Sequence, residues 1–325
     1  MKITRRAVLG GLATGLVAYP SLRAQAKEDW PARPIKLISP YGPGGANDIS
    51  LRLLADRLEQ ETSLKFFVEN RPGGGTRIAN AAVARAEPDG YTFLYAAAPY
   101  ATAEALAGKL SYDPRKDLVP VAMAVVAPIF LIVNAHAPYK TLDAFIAYGK
   151  SKPDGLTFGS PGAGSQPHLA AELLFKDAGV KGLNVQFRGD APAYTELLAG
   201  RIDATLTAIS AALPHIESGG LRVLGCASAQ RSAVYPQAPT LREQGRNVVA
   251  EGWYGFMAPA GTPAAILDRM QTEILRVLAE TEMQKKLVVR GLEARGGTGA
   301  AFGAFIEDET RKWSAIIREA GIKEG

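Results

Sequence analysis

Four times along this chain a short apolar run or a strand-like segment leads into a Gly-rich turn, and a helical pattern follows. The turns are Gly44-Gly45, Gly73-Gly74-Gly75, Gly162–Ser165 and Gly189-Asp190. Strand, loop and helix in alternation point to α/β architecture with mostly parallel strands, because each helix carries the chain back over a sheet face. The first unit runs from the strand Ile35–Ser39 into a helix carrying Ile49, Leu51, Leu53, Leu54 and Leu58, up to about Glu61. The strand Phe66–Glu69, a small-residue helix over Thr76–Ala86 and the strand Tyr91–Ala96 follow. Further strands are predicted at Ala127–Asn134, Thr157–Ser160, Asn184–Phe187, Asp203–Thr207, Arg222–Ala227 and Trp253–Ala258. Helices are predicted at Thr141–Lys150, from Ser165 through Lys176, and over Ala191–Ala199, Pro263–Ala279, Glu282–Arg290 and Ala300–Ala320. Thr141 and Ser165 suit N-caps, and Pro167 suits a first turn.

The loops carry the functional signal. The first backbone N–H groups of a helix lack internal partners, and the helix dipole favours negative charge there. Glycine lets a ligand approach that backbone closely. Several such starts facing one cleft would hold an anion without a Lys or Arg, and α/β sheets gather such loops on one edge. Each loop taken alone is equally well read as a tight turn.

Charge separates an address from a body. The formal balance is +5, from 37 Lys and Arg against 32 Asp and Glu. Residues 1–26 hold Lys2, Arg5, Arg6 and Arg23 and no acid; without them the count is 33 against 32. That excludes the basic excess of a nucleic-acid binder. The same segment has a positive start, an apolar stretch Ala7–Tyr19 and the small-x-small site Ala24-Gln25-Ala26, which reads as a cleaved export signal. Thr4-Arg5-Arg6-Ala7-Val8-Leu9 fits a twin-arginine signal as well as a general secretory one. The expected location is periplasmic. A single cysteine, Cys226, excludes an internal disulfide framework, and His136, His168 and His215 have no metal-ligand spacing.

Other chemistries are weakly signalled. Gly162-Ala163-Gly164 begins a dinucleotide fingerprint, but Pro167 stands where its third glycine belongs, and no P-loop is present. Ser160, Ser165 and His168 lie close in sequence without a G-x-S-x-G elbow. His168 reads equally as a ligand contact or as packing on its loop. Asp48 could meet a ligand or stabilise a helix start, and Arg188 could pair with an anion or lie exposed. Tyr41 and Tyr100 could form an apolar wall; Trp253 and Trp313 suit core packing.

Taken in order, certain segments resemble a known family. They are Tyr41-Gly42-Pro43-Gly44-Gly45-Ala46-Asn47-Asp48, Val68-Glu69-Asn70-Arg71-Pro72-Gly73-Gly74-Gly75 and Pro88-Asp89-Gly90-Tyr91-Thr92. Later come Gly159-Ser160-Pro161-Gly162-Ala163-Gly164-Ser165-Gln166-Pro167-His168, Pro192-Ala193-Tyr194-Thr195-Glu196-Leu197-Leu198-Ala199-Gly200 and Ala258-Pro259-Ala260-Gly261-Thr262-Pro263. This set resembles the substrate-binding receptors of tripartite tricarboxylate transporters, also called Bug receptors. The resemblance implies a two-domain periplasmic binding protein of type II. Each domain would be a mostly parallel sheet flanked by helices, with the ligand cleft between domains. Domain 1 would comprise residues 27–124 and 228–325, and domain 2 residues 125–227. It implies carboxylate binding by loops matching Tyr41–Asp48 and Ser160–His168, and places Cys226 in a buried strand. Three departures stand out. Gly42 replaces a family proline, Thr205-Leu206-Thr207 replaces a Met-Phe-Asp pattern, and Asp190 occupies a usually uncharged position.

The resulting expectation is a solute receptor, not an enzyme, that passes a small organic acid to membrane transporter subunits. The expected ligand-binding residues are Tyr41, Gly44, Gly45, Ala46, Asp48, Ser160, Gly164, Ser165, His168, Asp190 and Thr207. No cofactor, metal or nucleic acid is expected, and the chain should be a monomer. Tyr41, Tyr100 and Thr207 favour an apolar or aromatic mono- or dicarboxylate. Two alternatives are an exported enzyme using Ser160 or Ser165 with His168, and an accessory presenting a ligand to a membrane sensor.

Overall fold

The computed structural model describes residues 30–160, 164–187 and 190–322. The export signal, Gly162, Arg188 and Gly189 fall outside them, as does the Asp190 side chain. In chain order the elements are β1 (Ile35–Ser39), α1 (Ala46–Glu61), β2 (Phe66–Asn70), α2 (Arg77–Ala84), β3 (Thr92–Ala97), α3 (Pro99–Ala107), β4 (Leu118–Pro128) and β5 (Phe130–Asn134). Then come α4 (Leu142–Ser151), β6 (Leu156–Ser160), α5 (Gln166–Ala178), β7 (Gly182–Gln186), α6 (Asp190–Leu198), β8 (Ala204–Thr207), α7 (Leu213–Glu217) and β9 (Leu221–Cys226). The last are β10 (Glu251–Pro259), α8 (Ala264–Leu278), α9 (Thr281–Val288), β11 (Glu293–Thr298) and α10 (Gly299–Glu319).

They form two sheets, in the orders β11-β4-β10-β3-β1-β2 and β7-β6-β8-β5-β9. The sheets are mixed rather than mostly parallel. In the first, β2, β1 and β3 run parallel, whereas β10, β4 and β11 join by antiparallel pairing. In the second, β7, β6 and β8 are parallel and β5 and β9 are antiparallel. The physical reason is the crossing between sheets. Only Ile129 separates β4 from β5, so the chain enters the second sheet as an extended strand with no helix to reverse it.

The inner parallel strands β1, β3, β6 and β8 are largely buried, whereas the edge strands β2 and β7 are partly exposed. In β3, Phe93 and Tyr95 face a cluster with Leu51, Leu54 and Leu58 of α1 and Met270 and Ile274 of α8. Leu94 and Ala96 face the opposite cluster with Ala79 and Val83 of α2, Tyr100 of α3 and Phe302 of α10. Thus α1 covers one face of the first sheet, and α2 and α3 cover the other. The α1 leucines recur at the helical spacing expected of a face against a sheet. Cys226 is buried, as its strand position implies.

The two sheets meet along a narrow seam. The Ala227 N–H donates to the Ile129 carbonyl at 2.7 Å, and the Ala250 N–H to the Ala227 carbonyl at 2.9 Å. These bonds set the crossings side by side. A second tie is α10, whose first half packs Phe302 and Ile306 under the first sheet. Its second half packs Trp313, Ile316 and Ile317 with Phe145, Phe158 and Leu174 beneath the second sheet. Leu241, Val248 and Ala250 join that same core. No described helix is long and apolar enough to cross a membrane.

Trp313 is wholly buried, and its Nε1 donates to Glu309 Oε2 at 2.7 Å. Trp313→Ala removes a large core side chain and strands a buried acceptor. We expect a loss of about 3–5 kcal/mol in urea unfolding. A midpoint equal to wild type would show that α10 does not fasten the second core.

Candidate functional site

Between the sheets lies a cleft of about 1000 Å³, at the upper end for ligand pockets. Its floor is the seam, with Ala127, Ile129, Gly252 and Trp253. The parallel pairing of β1, β2 and β3 directs the starts of α1, α2 and α3 to one edge of the first sheet. All three reach the cleft wall, α1 through Gly45, Ala46 and Asn47, α2 through Thr76 and Arg77, and α3 through Ala98 and Pro99. None of the three carries a side-chain cap. The positive ends of three helix dipoles therefore face the wall, although the Arg77 N–H already donates to the Gly74 carbonyl and Pro99 has no N–H.

The start of α5 differs. Ser165 Oγ accepts from the His168 N–H, as the N-cap reading expects, and His168 Nδ1 accepts the Gly164 N–H at 3.0 Å. Two of its donors are thus satisfied within the loop. Gly164 has a positive φ of 70°, and a Cβ there would stand 2.5 Å from Leu106 Cδ1 of α3. Glycine is needed at this point, where the second sheet's loop meets a helix of the first.

The loop before α1 is braced from behind. Asp48 Oδ2 accepts the Gly44 N–H at 3.0 Å, and Arg52 Nε bonds both Asp48 oxygens at 3.0 Å. Asn70 Nδ2 donates to Asp48 Oδ1 and to the Tyr41 carbonyl, at 2.8 and 2.9 Å. Ser39 Oγ donates to Asn47 Oδ1 at 2.7 Å. Burial alone raises the Asp48 carboxyl, but the bonds from Arg52, Gly44 and Asn70, with the Arg52 charge, outweigh it and hold its pKa below the ordinary value.

The structure brings Tyr41, Gly45, Ala46, Gly164, Ser165 and Thr207 to the cleft wall. Gly44, Asp48, Ser160 and His168 stand behind it. Asp48 is consumed by the bracing just described, so it positions the loop rather than meeting a ligand. Ser160 Oγ lies 2.7 Å from Asn184 Oδ1 on the neighbouring strand. His168 is buried against Phe158, with Nε2 toward Glu172 at 3.4 Å. With Nδ1 held by Gly164 and Nε2 facing Glu172, neither nitrogen is placed to take a proton from Ser160 or Ser165. The serine–histidine reading loses its geometric basis. Tyr100 also departs from expectation. It turns away from the cleft, and its hydroxyl donates to the Pro114 carbonyl at 2.5 Å. Asp190 opens α6, with its side chain outside the described residues.

Among the wall residues that the sequence reading did not list as site residues, Arg77, Gln166 and Trp253 stand out. Arg77 is the one charged side chain among the described residues of the wall. Gln166 is 8% exposed and Trp253 fully buried, and Gln166 Nε2 and Trp253 Nε1 have no hydrogen-bond partner among the described residues. Trp253 was expected in the core, and it is there, edge-on to Phe302 and Phe305. It also faces the cleft. The G-G-G turn ahead of Arg77 and the Ser160–His168 loop that holds Gln166 were the hints the sequence offered.

Two mixed α/β sheets around a cleft met by uncapped helix starts define a solute-binding protein of the periplasmic type. Residues 50–322 match the family model described as Tripartite tricarboxylate transporter family receptor, and the chain belongs to that family. Protein BugT of Bordetella pertussis is 35% identical, over 99% of both chains. An R. palustris protein solved with adipate superposes with a TM-score of 0.79 at 31% identity, covering 90% of this chain and 99% of that one. MatC from Rhodopseudomonas palustris, solved with bound malate, gives 0.73 at 28% identity, covering 89% and 100%.

The Asp48 bracing has a pH signature. A lowered folded pKa makes its stabilisation complete above the unfolded value of about 3.9 and lost as the pH falls through the folded value. Asp48→Asn should therefore be less stable than wild type above about pH 4, with the gap closing on acidification. Urea midpoints between neutral and acid pH check this. A gap that widens as pH falls contradicts it.

Proposed function

We propose that this chain is a periplasmic receptor that binds a small organic carboxylate in the cleft and delivers it to membrane subunits of a tripartite tricarboxylate transporter. The observation that carries this reading is the convergence of three uncapped helix starts on one wall, together with the buried donors of Gln166 and Trp253. Donors outnumber acceptors on such a wall, and a carboxylate offers acceptors only. The bound adipate and malate of the two structural neighbours support the same class. Binding alone suffices, and a micromolar Kd needs only about 8 kcal/mol.

The two sheets are the centres of two lobes that close by rotation about the Ile129–Ala227–Ala250 seam. Residues 27–124 and 228–325 form the first lobe in this reading, and 125–227 the second, with α10 reaching across. The leader in residues 1–26 exports the chain, which acts as a monomer. The Tyr41 ring flanks the anion seat. It is 36% exposed, while burial of its hydroxyl end and the neighbouring Tyr254 push its pKa up, keeping it a neutral donor.

Thermal shift of the purified, ligand-stripped protein against organic acids tests the class. An acid at a hundredfold its Kd should stabilise by about 2.7 kcal/mol. The seat itself is tested by Gly45→Asp. Gly45 is the N-cap of α1 with φ −81°, and a Cβ there meets nothing within 4 Å. Aspartate at this cap should keep or slightly raise stability while its carboxylate repels the ligand from the same N–H groups. We expect an unchanged or higher melting point and no response to the acid that stabilises wild type. Retained response would remove α1 from the site.

A further inference from the structure

The two lobes are fastened unequally on their two faces. On one face α10 spans both, with Phe302 and Ile306 under the first sheet and Trp313, Ile316 and Ile317 under the second. That tie is apolar and buried, so parting it would return hydrocarbon to water. The seam belongs to the strands between the faces. On the opposite face of the first sheet, α1 and α9 share a cluster through Leu51, Leu54, Met283 and Leu287. The second sheet presents α6 there, clustered with Ile209 and Ala212.

On this face the turn after β8 meets the turn after α9. Ser210 Oγ donates to the Arg290 carbonyl at 3.1 Å. The next residue, Gly291, closes α9. Its N–H donates to the Val288 carbonyl at 2.9 Å, and the Leu292 N–H to the Leu287 carbonyl at 3.0 Å. Gly291 has φ 75°, the backbone that this kind of helix end requires. A Cβ on it would stand 1.9 Å from Ser210 Oγ and 3.2 Å from Ser210 Cβ. Ser210 belongs to the second lobe, so that Cβ is excluded only while the lobes hold this relation. Glycine at 291 thus serves helix closure within its own lobe and leaves room for the other lobe. The contact is close but weak. Ser210 and Arg290 are exposed, and a hydrogen bond that water can replace adds little net stability. With α10 buried on the other face and the seam between, rotation of the lobes parts this contact first.

We propose that the Ser210–Gly291 contact is a latch, made when the lobes close on a ligand and lost when they open, which sets how long a bound acid stays. This rests on the carboxylate-receptor reading above and deepens it. Neither residue is among those lining the cleft, so the latch acts on the closed population and not on the ligand. A change in that population alters the apparent affinity for every acid by one factor, whereas a change in the wall alters acids unequally.

The test is the cysteine pair Ser210→Cys with Gly291→Cys, probed with malate, citrate, adipate, hexanoate and benzoate. Disulfides hold their Cβ atoms about 3.5–4.5 Å apart, so a small shift from 3.2 Å permits one here, and the native Cys226 is buried. We expect an acid that raises the melting point to speed disulfide formation under diamide about fivefold or more, and the oxidised pair to release that acid about tenfold more slowly than the reduced pair. Gly291→Asn gives a second readout, because asparagine also closes helices at positive φ while its side chain takes the space of Ser210. It should weaken every bound acid in calorimetry by one common factor, about fivefold or more, and adding Ser210→Gly should restore most of the loss. Equal disulfide rates with and without a bound acid, no disulfide in a folded pair, or a loss that Ser210→Gly leaves in place would overturn the latch and leave the receptor reading standing. A wild type that is folded by its melting curve and binds none of the five acids would overturn the receptor reading and the latch with it.

Discussion

Two backbone hydrogen bonds, from Ala227 to Ile129 and from Ala250 to Ala227, hold the molecule's two sheets in one relation. All three residues lie just outside the strands, where the chain crosses from one sheet to the other. A seam of this kind resists sliding along the strands, since sliding would break both bonds together. Helix α10, packed under both sheets, adds a second tie. The same strands floor the cleft through Ala127, Ile129 and Trp253. Any change in the sheets' relation therefore reshapes the site directly.

On that frame the anion seat proposed above is a backbone loop stiffened by side chains behind it. Asp48, Arg52 and Asn70 fasten the turn between β1 and α1, and Ser39 fastens Asn47. Their charges cancel one another, so the site gains rigidity without gaining net charge. A seat made of fixed N–H dipoles needs little reorganisation when an anion arrives, whereas a lysine on a flexible stem would lose rotamer freedom. The α5 start follows another plan. Ser165 and His168 satisfy its donors internally, and its part in the cleft falls to Gly164, Ser165 and Gln166 lining the wall and to the close approach of Gly164 to Leu106.

What was legible in the sequence was local. Ser165 and Thr141 read as N-caps because a cap depends on residues within three positions, and both caps form. The Gly-rich loops were legible because positive φ leaves few alternatives. Helix α3 was missed because its alanine-rich stretch gives a helical period no polar face to stand against. Strand β11 was missed because Glu293–Thr298 is charged and Gly-rich; pairing to β4 at the sheet edge holds it, not propensity. Tyr100 was misplaced because only the distant Pro114 carbonyl fixes where its hydroxyl points. Arg77, Gln166 and Trp253 share that limit, since each reaches the cleft through packing between elements far apart in the chain.

The division has a consequence for how such receptors diversify. A carboxylate held by backbone donors is recognised whatever side chains surround it, so the shared loops can stay constant while the rest of the wall changes. Discrimination then falls to a few wall positions fixed by the fold. In the receptor reading proposed above, the wall positions that could do so include Arg77, Gln166, Trp253 and Thr207, set among alanines and Leu106. None of them takes part in the Asp48 brace. The energetic separation between holding an acid and choosing among acids thus follows from where the chain places its helix starts.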